Sequence, residues 1–222
     1  MNTIVRDKAS LKEYYEKTIK NMEENKENLF SDVSLVFTNE IESLVLKKKA
    51  LDLGYGYGNY TLYLSSLGFN VDAIDIIDRK ILINRANQCN LNEKMSIYQC
   101  KIENWKFEND YDVIVCKDVL HFLSKKNVKR IIEQCQKHTK PNGLNYIVIF
   151  SEINREDEFC NPIFIENEAN FSTETFINLI ENIYEGWAIN FNISSYSERE
   201  KKNATKDYFS ASRIEVIARK NI

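Results

Sequence analysis

The sequence lacks a long hydrophobic run, and it has few turn-forming residues and little excess charge. No segment approaches the run of about 18 apolar residues that a membrane-spanning helix needs, and residues 1–20 lack the apolar stretch of a signal peptide. With two prolines and six glycines among 222 residues, flexible linkers are few. A net charge of −3 argues against a basic, phosphate-tracking surface. We therefore expect a cytoplasmic protein with no membrane anchor, and the charge balance argues against a nucleic-acid partner.

Cysteine is present, but not in the pattern of a metal site or a disulfide framework. The chain has five cysteines, which is an odd number, and no C-x-x-C pair. They are Cys89, Cys100, Cys116, Cys135 and Cys160. This distribution predicts reduced thiols and no metal site.

The remaining pattern predicts an α/β domain over residues 49–222, preceded by a helical extension or lid over residues 1–48. In the extension, Ser10–Glu13 has the form of a capping box, and a second helix is expected over about 31–46. The main domain alternates short apolar strands with helices, which is typical of a parallel sheet covered on both faces. Strands are expected over about 49–53, 70–75, 95–100, 111–116 and 144–151, and helices over about 58–67, 78–90, 124–138 and 172–184. Residues 187–195 and 208–219 are expected to pair as an antiparallel hairpin.

The most informative segment is a glycine-rich turn after the first of these strands. Gly54, Gly56 and Gly58 follow the run that contains Asp52, and Asp75 ends the next strand, 21 residues after Gly54. Glycine permits positive φ and lets backbone N–H groups approach a ligand closely. In a βαβ unit this spacing places the turn beneath a nucleoside-bearing ligand and the carboxylate beside its ribose. The segment therefore predicts a nucleoside-cofactor site.

Two neighbouring acids compete with Asp75 for the ribose. Because side chains alternate along a strand, Asp72 points to the opposite face of the sheet from its strand neighbours. Asp78 is placed to cap the helix that begins near Arg79. We therefore assign the ribose contact to Asp75.

The glycine spacing distinguishes between two kinds of cofactor. Dinucleotide sites usually read G-x-G-x-x-G, whereas this turn reads G-x-G-x-G and has Asp52 two residues before it. The shorter form resembles motif I of class I S-adenosylmethionine (SAM) dependent methyltransferases. The resemblance implies a Rossmann-like α/β fold, with a mostly parallel seven-stranded sheet, a C-terminal antiparallel hairpin and helices on both faces. It also implies SAM as the cofactor, with Asp52 bracing the turn and the cationic methionyl end.

The resemblance assigns further cofactor contacts to the loops that follow the neighbouring strands. The cofactor-binding residues that it implies are Asp52, Gly54, Tyr55, Gly56, Gly58, Asp75, Ile76, Ile102, Glu103, Cys116 and Asp118. Class I methyltransferases usually present an acid to the adenine amino group from the loop after the third strand. Lys101 occupies that place here and has no acceptor. We therefore expect Glu103 or the backbone at Ile102 to make the adenine contact.

Two residues are candidates for a catalytic general base. His121 follows the fourth predicted strand, in a segment that resembles the cofactor-side loop of many small-molecule methyltransferases, and its unperturbed pKa lies near neutrality. The alternative is a histidine that only packs in this loop. Glu152, after the fifth predicted strand, is the second candidate. The other histidine, His138, is placed at a helix C-terminus and has no assigned catalytic role.

From about residue 50 to residue 220, the chain resembles the bacterial tellurite-resistance methyltransferase family. The segments that carry this resemblance include Leu62–Leu64, His138–Gly143, Tyr184–Trp187 and Ala218–Lys220. The chain departs from the family at four places: Tyr55 replaces the usual Cys, Asn59 an Arg, Glu152 an Asp, and Glu200–Lys201 a His-Arg pair. The family associates these positions with its substrate pocket. The resemblance therefore implies the fold and the cofactor, but not the substrate.

These observations lead to one main functional hypothesis and three alternatives. We expect a SAM-dependent methyltransferase that acts on a small molecule, with a thiol or a chalcogen oxyanion as one candidate acceptor. A soft anionic acceptor of this kind needs no strong general base. The alternatives are an O- or N-methyltransferase of a metabolite, a SAM-binding protein without catalysis, and a nucleic-acid-modifying enzyme, against which the balanced charge argues.

Overall fold

A computed structural model describes residues 4–6, 32–42, 49–157, 159–199 and 208–221. The capping box at Ser10–Glu13 and the departure at Glu200–Lys201 lie outside the described residues. The strands are β1 (Ile4–Arg6), β2 (Lys49–Leu53), β3 (Asn70–Asp75), β4 (Met95–Gln99), β5 (Tyr111–Lys117), β6 (Thr139–Arg155), β7 (Ile163–Ile165), β8 (Ala188–Glu198) and β9 (Phe209–Arg219). The α-helices are α1 (Leu35–Glu42), α2 (Asn59–Ser66), α3 (Lys80–Gln88), α4 (Lys125–Lys137) and α5 (Thr173–Ile183).

A seven-stranded sheet lies at the centre of the protein, in the order β4-β3-β2-β5-β6-β9-β8. The five strands from β2 to β6 are parallel, and β9 pairs antiparallel with both β6 and β8. The described part of the N-terminal extension adds β1, which pairs with β7 in a separate parallel sheet. The predicted Rossmann-like α/β fold with its C-terminal hairpin is confirmed.

Successive residues of a strand point to opposite sides of the sheet. Because these strands are apolar on both sides, helices cover both faces of the sheet. On one face, buried side chains of α1 and α2 pack against β5 and β6: Phe37, Ile41, Tyr60, Leu64, Val113, Val115 and Tyr146. On the other face, α4 and α5 pack against the same strands through Val128, Ile131, Phe176, Ile180, Ile114 and Ile147. The two faces are called the α1/α2 face and the α4/α5 face below. Helix α1 begins at Leu35, later than the predicted start near residue 31, and residues 43–46 of the predicted helix lie outside the described residues.

Strand β6 is longer than predicted. Tyr111 pairs with Thr139 and Val113 with Leu144, so residues 140–143 form a bulge inside the strand and not a turn before it. A second irregularity lies between Ser151 and Asn154, where β6 pairs with β9. Bulges of this kind redirect side chains, and the second one determines where Glu152 points.

None of the described helices combines the length and apolarity required to span a membrane. Within the described ranges, no three His, Cys, Asp or Glu side chains are grouped so as to hold a metal ion. None of the five cysteines, all of which lie in the described ranges, takes part in a disulfide bond.

Candidate active site

The glycine turn joins the carboxyl end of β2 to α2, and all three of its glycines have positive φ. The φ values are 80° at Gly54, 52° at Gly56 and 88° at Gly58. A side chain at Gly54 would meet the Val119 side chain at 2.7 Å, and one at Gly58 would meet Leu82. Beside Gly56 there is open space, with no atom within 4 Å of the place where a Cβ would lie. Only this glycine therefore presents its backbone to a space that a ligand is able to fill.

The carboxylate of Asp75 lies directly against this turn. It accepts hydrogen bonds from the backbone N–H groups of Gly56 (2.8 Å), Ile76 (2.6 Å) and Ile77 (3.3 Å). Burial raises the pKa of Asp75, although the three N–H donors oppose this shift. The structure thus places Asp75 next to the glycine turn, and it adds a direct Gly56–Asp75 hydrogen bond that the spacing did not predict.

The two competing acids have other partners. Asp72 accepts a hydrogen bond from the Tyr111 hydroxyl at 3.0 Å and lies 3.5 Å from the Lys49 ammonium group. Asp78 accepts from the backbone N–H of Lys80 at the start of α3. Both contacts are structural, in agreement with the assignment of the ribose to Asp75.

Asp52 lies behind the turn and is almost fully buried. It accepts a hydrogen bond from the Thr61 hydroxyl of α2 at 2.6 Å. Burial raises the pKa of Asp52 to about 7; the nearby Asp75 carboxylate also raises it, while Thr61 and Lys117 lower it. A carboxylate of this kind changes its charge close to neutral pH.

The residues that are expected to contact adenine are Ile76 and those of the single-turn helix Ile102–Asn104. Ile76 is 39% exposed at the end of β3, and Ile102 is buried. The Arg130 guanidinium donates to the backbone carbonyl of Glu103 at 2.8 Å, which holds this turn against α4. Cys116, the next predicted contact, directs its side chain into the apolar core on the α4/α5 face. A contact from Cys116 to a ligand would therefore have to come from its backbone.

The carboxyl end of β5 holds a cluster of charges that sequence patterns did not indicate. Lys117 lies 2.7 Å from both Asp32 and Asp118, and the Arg213 side chain of β9 lies 3.9 Å from Asp118. Burial alone would lower the pKa of Lys117, but the two carboxylates outweigh burial and raise it. Asp118 has positive φ, 54°. No local signal marks Asp32 or Arg213, since both lie far from Lys117 along the chain.

His121 is buried among aromatic rings. Its ring centre lies 3.9 Å from that of Phe122 and 5.1 Å from that of Phe150. Burial lowers the pKa of His121 to about 3, with a smaller contribution from Arg155. A neutral imidazole with so low a pKa is a weak base at neutral pH. The geometry therefore favours the packing role, which the sequence left open as the alternative.

We expect the imidazole of His121 to remain neutral between about pH 5 and about pH 8, whereas a free histidine would titrate there. In the variant His138→Gln, His121 is the only histidine, so its NMR signals are unambiguous. Its ring proton shifts should stay constant over this range. A titration midpoint near pH 6.5 would show that His121 is accessible and available as a base.

Glu152 points away from the Lys117–Asp118 charges. Its carboxylate accepts from the Ser212 hydroxyl at 2.8 Å and from the backbone N–H of Thr173, at the start of α5, at 3.4 Å. These hydrogen bonds lower its pKa. Arg213, next to Ser212 along β9, points to the opposite face. The structure therefore separates the two catalytic candidates, and Glu152 borders a serine-rich cleft of about 400 Å³ on the α4/α5 side.

Comparisons with known proteins identify one family profile and relatives that are named as methyltransferases. The sequence profile described as "Tellurite resistance protein TehB" matches residues 12–206. The probable S-adenosyl-L-methionine-dependent methyltransferase TehB of Haemophilus influenzae (strain 10810) is 36% identical over 127 residues, which are 54% of this chain and 43% of that protein. The ubiquinone biosynthesis O-methyltransferase of Rickettsia akari (strain Hartford) is 36% identical over 109 residues, 49% of this chain and 41% of that protein. The matches thus span less than half the length of these relatives.

Solved structures show the same fold. TehB from Haemophilus influenzae superposes with a TM-score of 0.61 at 24% identity, covering 86% of this chain and 64% of that one. A second structure is the Burkholderia thailandensis 1,6-didemethyltoxoflavin-N1-methyltransferase, with 1,6-didemethyltoxoflavin and S-adenosylhomocysteine bound. It gives a TM-score of 0.63 at 15% identity and covers 96% of this chain and 88% of that one.

Proposed function

We propose that this chain, which belongs to the TehB family of tellurite resistance proteins, transfers the methyl group of SAM to a small molecule. The observation that carries the proposal is the contact between Asp75 and Gly56. It leaves a carboxylate and an open glycine backbone side by side at the carboxyl ends of β2 and β3. Adenosine-containing ligands bind at this edge of open α/β sheets.

The residues around this edge fit SAM chemically. The Oδ1 atom of Asp118 and the hydroxyl of Tyr55 are buried and have no hydrogen-bond partner among the described residues. The Asp118 oxygen accepts hydrogen bonds, and the Tyr55 hydroxyl both donates and accepts them. This combination suits the ammonium and carboxylate groups of an amino-acid moiety. We assign the ribose to Asp75, the adenine to Ile76 and the Ile102–Glu103 turn, and the methionyl end to Asp52 and Asp118.

When bound, SAM supplies an electrophilic methyl group, so the protein has to align the acceptor and exclude water. In this proposal the walls of the active site come from the α1/α2 face. There the Lys117 ammonium group donates to Asp32, and the Ser34 hydroxyl donates to Glu215 at 2.6 Å. These two contacts support the proposal that the N-terminal extension, residues 1–48, closes over the site. That the five cysteines form no disulfide bond supports a reducing, cytoplasmic location.

The acceptor in this proposal is a thiol or a chalcogen oxyanion. Its support is that neither predicted base suits the role: His121 is buried and neutral, and Glu152 points toward Ser212 and the start of α5. A thiolate or a chalcogen oxyanion is already anionic, so its methylation needs no strong general base in the protein. O- or N-methylation of a metabolite is the second candidate, because relatives and neighbours of the chain include proteins named for these reactions.

Asp75→Ala is expected to weaken SAM binding by about 10- to 100-fold, because the ribose loses a charged hydrogen-bond acceptor and Gly56 loses its partner. Isothermal titration calorimetry with SAM measures the effect. Asp110→Ala, which removes an exposed carboxylate before β5, is the matched control and should bind as the wild type does. Absence of saturable binding to the folded wild type, or unchanged binding by Asp75→Ala, would overturn the assignment.

The acceptor class is tested by release of S-adenosylhomocysteine. Thiols, selenite and tellurite are compared with phenols and amines under identical conditions. Turnover with the first group alone supports the proposed acceptor. Turnover with phenols or amines alone supports the second candidate, and turnover with none of them points to a SAM-binding protein without these activities.

A further inference from the structure

Arg85 of helix α3 is a buried cation beneath the glycine turn. Its side chain is 5% exposed. The guanidinium donates to the backbone carbonyl of Tyr57 and, at 2.9 Å, to the side-chain oxygen of Asn59. It also stacks on the Tyr57 ring, 3.6 Å from the ring centre. These three contacts are with Tyr57 of the turn and Asn59, the first residue of α2.

A buried guanidinium is costly unless its donors are satisfied. Arg85 is held in place by the turn, and the turn is held in place by Arg85. Leu82, one helical turn earlier on α3, lies directly under Gly58 and adds an apolar support on the same side. The base of the turn therefore rests on α3 through two side chains of different chemistry.

Helix α3 also follows Asp75 closely along the chain. A support from α3 consequently ties the glycine turn to the strand end that carries the ribose ligand. The two halves of the proposed cofactor site, Gly56 on one βα unit and Asp75 on the next, share this support. A shift of the turn away from α3 would change the distance between Gly56 and Asp75.

We propose that Arg85 is a positioning residue for the cofactor: it holds the glycine turn in the conformation in which SAM binds. The inference rests on the proposed function. Arg85 is not placed against the reacting atoms, so its loss should weaken cofactor binding and leave the methyl-transfer step itself almost unchanged. The planar shape of the guanidinium matters as well as its charge. A lysine ammonium group cannot stack flat on the Tyr57 ring, and it lacks the fixed planar arrangement of N–H donors.

The test compares Arg85→Met and Arg85→Lys with Lys80→Met, which removes an exposed cation from the same helix. The Kd for SAM and the KM for SAM are expected to rise about tenfold in Arg85→Met and several-fold in Arg85→Lys. The kcat at saturating SAM should stay within about twofold, and Lys80→Met should match the wild type. A purely structural role would lower the melting temperature of the free protein without changing the Kd of the folded fraction.

Asn59→Ala keeps the test decisive if Arg85→Met does not fold. It removes an acceptor of Arg85 and leaves the cation in place, so the Kd for SAM should rise about threefold. In the double variant with Arg85→Lys, the two effects should not add, because both act through one contact. Folded Arg85→Met, or folded Asn59→Ala, with a wild-type Kd would overturn the inference. Loss of SAM binding by the wild type would instead contradict the proposed function itself.

Discussion

Gly56→Ala is expected to weaken SAM binding by about 100-fold while leaving the protein folded. The new methyl group meets no protein atom within 4 Å, so it creates no clash in the free protein. It occupies the open space beside the turn, which is where the proposed ligand approaches the backbone. An extra methyl group in a well-packed contact costs about 1–3 kcal/mol, and this corresponds to a loss of up to about 100-fold in affinity.

Gly186→Ala is the matched control for this substitution. Gly186 also has positive φ, 80°, and open space around its Cβ position, but it follows α5 and is distant in sequence from the turn. Both variants pay the cost of placing alanine in a left-handed conformation, about 1–2 kcal/mol. Denaturant unfolding should therefore show similar stability losses, and calorimetry should show lost affinity in Gly56→Ala alone. Equal SAM affinities in the two variants would remove Gly56 from the cofactor site.

The second large effect is a pH dependence of cofactor binding that originates in Asp52. Its pKa of about 7 means that the carboxylate gains a proton as the pH falls through neutrality. The protonated form does not attract the cationic methionyl end of SAM. Because the apparent affinity scales with the competent fraction, it should fall by up to about tenfold from about pH 7.5 to about pH 6.

The same titration affects the stability of the ligand-free protein with a defined sign. Folded Asp52 keeps its proton up to about pH 7, whereas an unfolded aspartate releases it near its model value of 3.8. The folded state therefore binds more protons between these values, and this group makes stability decrease as the pH rises through that window. The total effect of a shift of this size is of the order of 4 kcal/mol.

Asp52→Asn separates the two effects. At about pH 8, the ligand-free variant should be more stable than the wild type, because a buried charge has been removed. Its SAM affinity should be about tenfold weaker and should no longer fall between about pH 7.5 and about pH 6. Thermal unfolding and calorimetry across this pH range measure both. A pH dependence that persists in Asp52→Asn would assign it to another group.

Much of the fold followed from local pattern, because each βα unit carries its own signals. The apolar run before Gly54, the turn itself and the run that ends at Asp75 belong to one βαβ unit, and their spacing predicted that the turn and the acid serve one ligand. The Asp75–Gly56 hydrogen bond is a contact that only the structure shows. The start of α1 and the length of β6 were predicted less well; the extra length of β6 comes from the bulge over residues 140–143, which depends on pairing with β5.

Side-chain environment was the part that sequence reasoning could not predict. His121 has the residue type and position of a base, but its surroundings come from Phe150 on another strand. Glu152 should point away from Ser151 by strand alternation. The irregularity between Ser151 and Asn154, together with the positive φ of Glu152, turns it toward α5. Arg85 resembles any polar residue of an amphipathic helix, and only its position under Tyr57 distinguishes it.

The sequence by itself determined the order of the strands and helices, the glycine turn, the acid at the end of β3 and, through the resemblance, the SAM-type site. These features are short-range, since they depend on glycine conformation and on the two-residue and 3.6-residue periods of strands and helices. The tertiary structure alone decided which groups are charged, which face the site and which support it: the buried Asp52, the neutral His121, the Lys117–Asp118 cluster and the cation of Arg85. Desolvation and long-range contacts set these properties, and both exist only after distant segments have packed together.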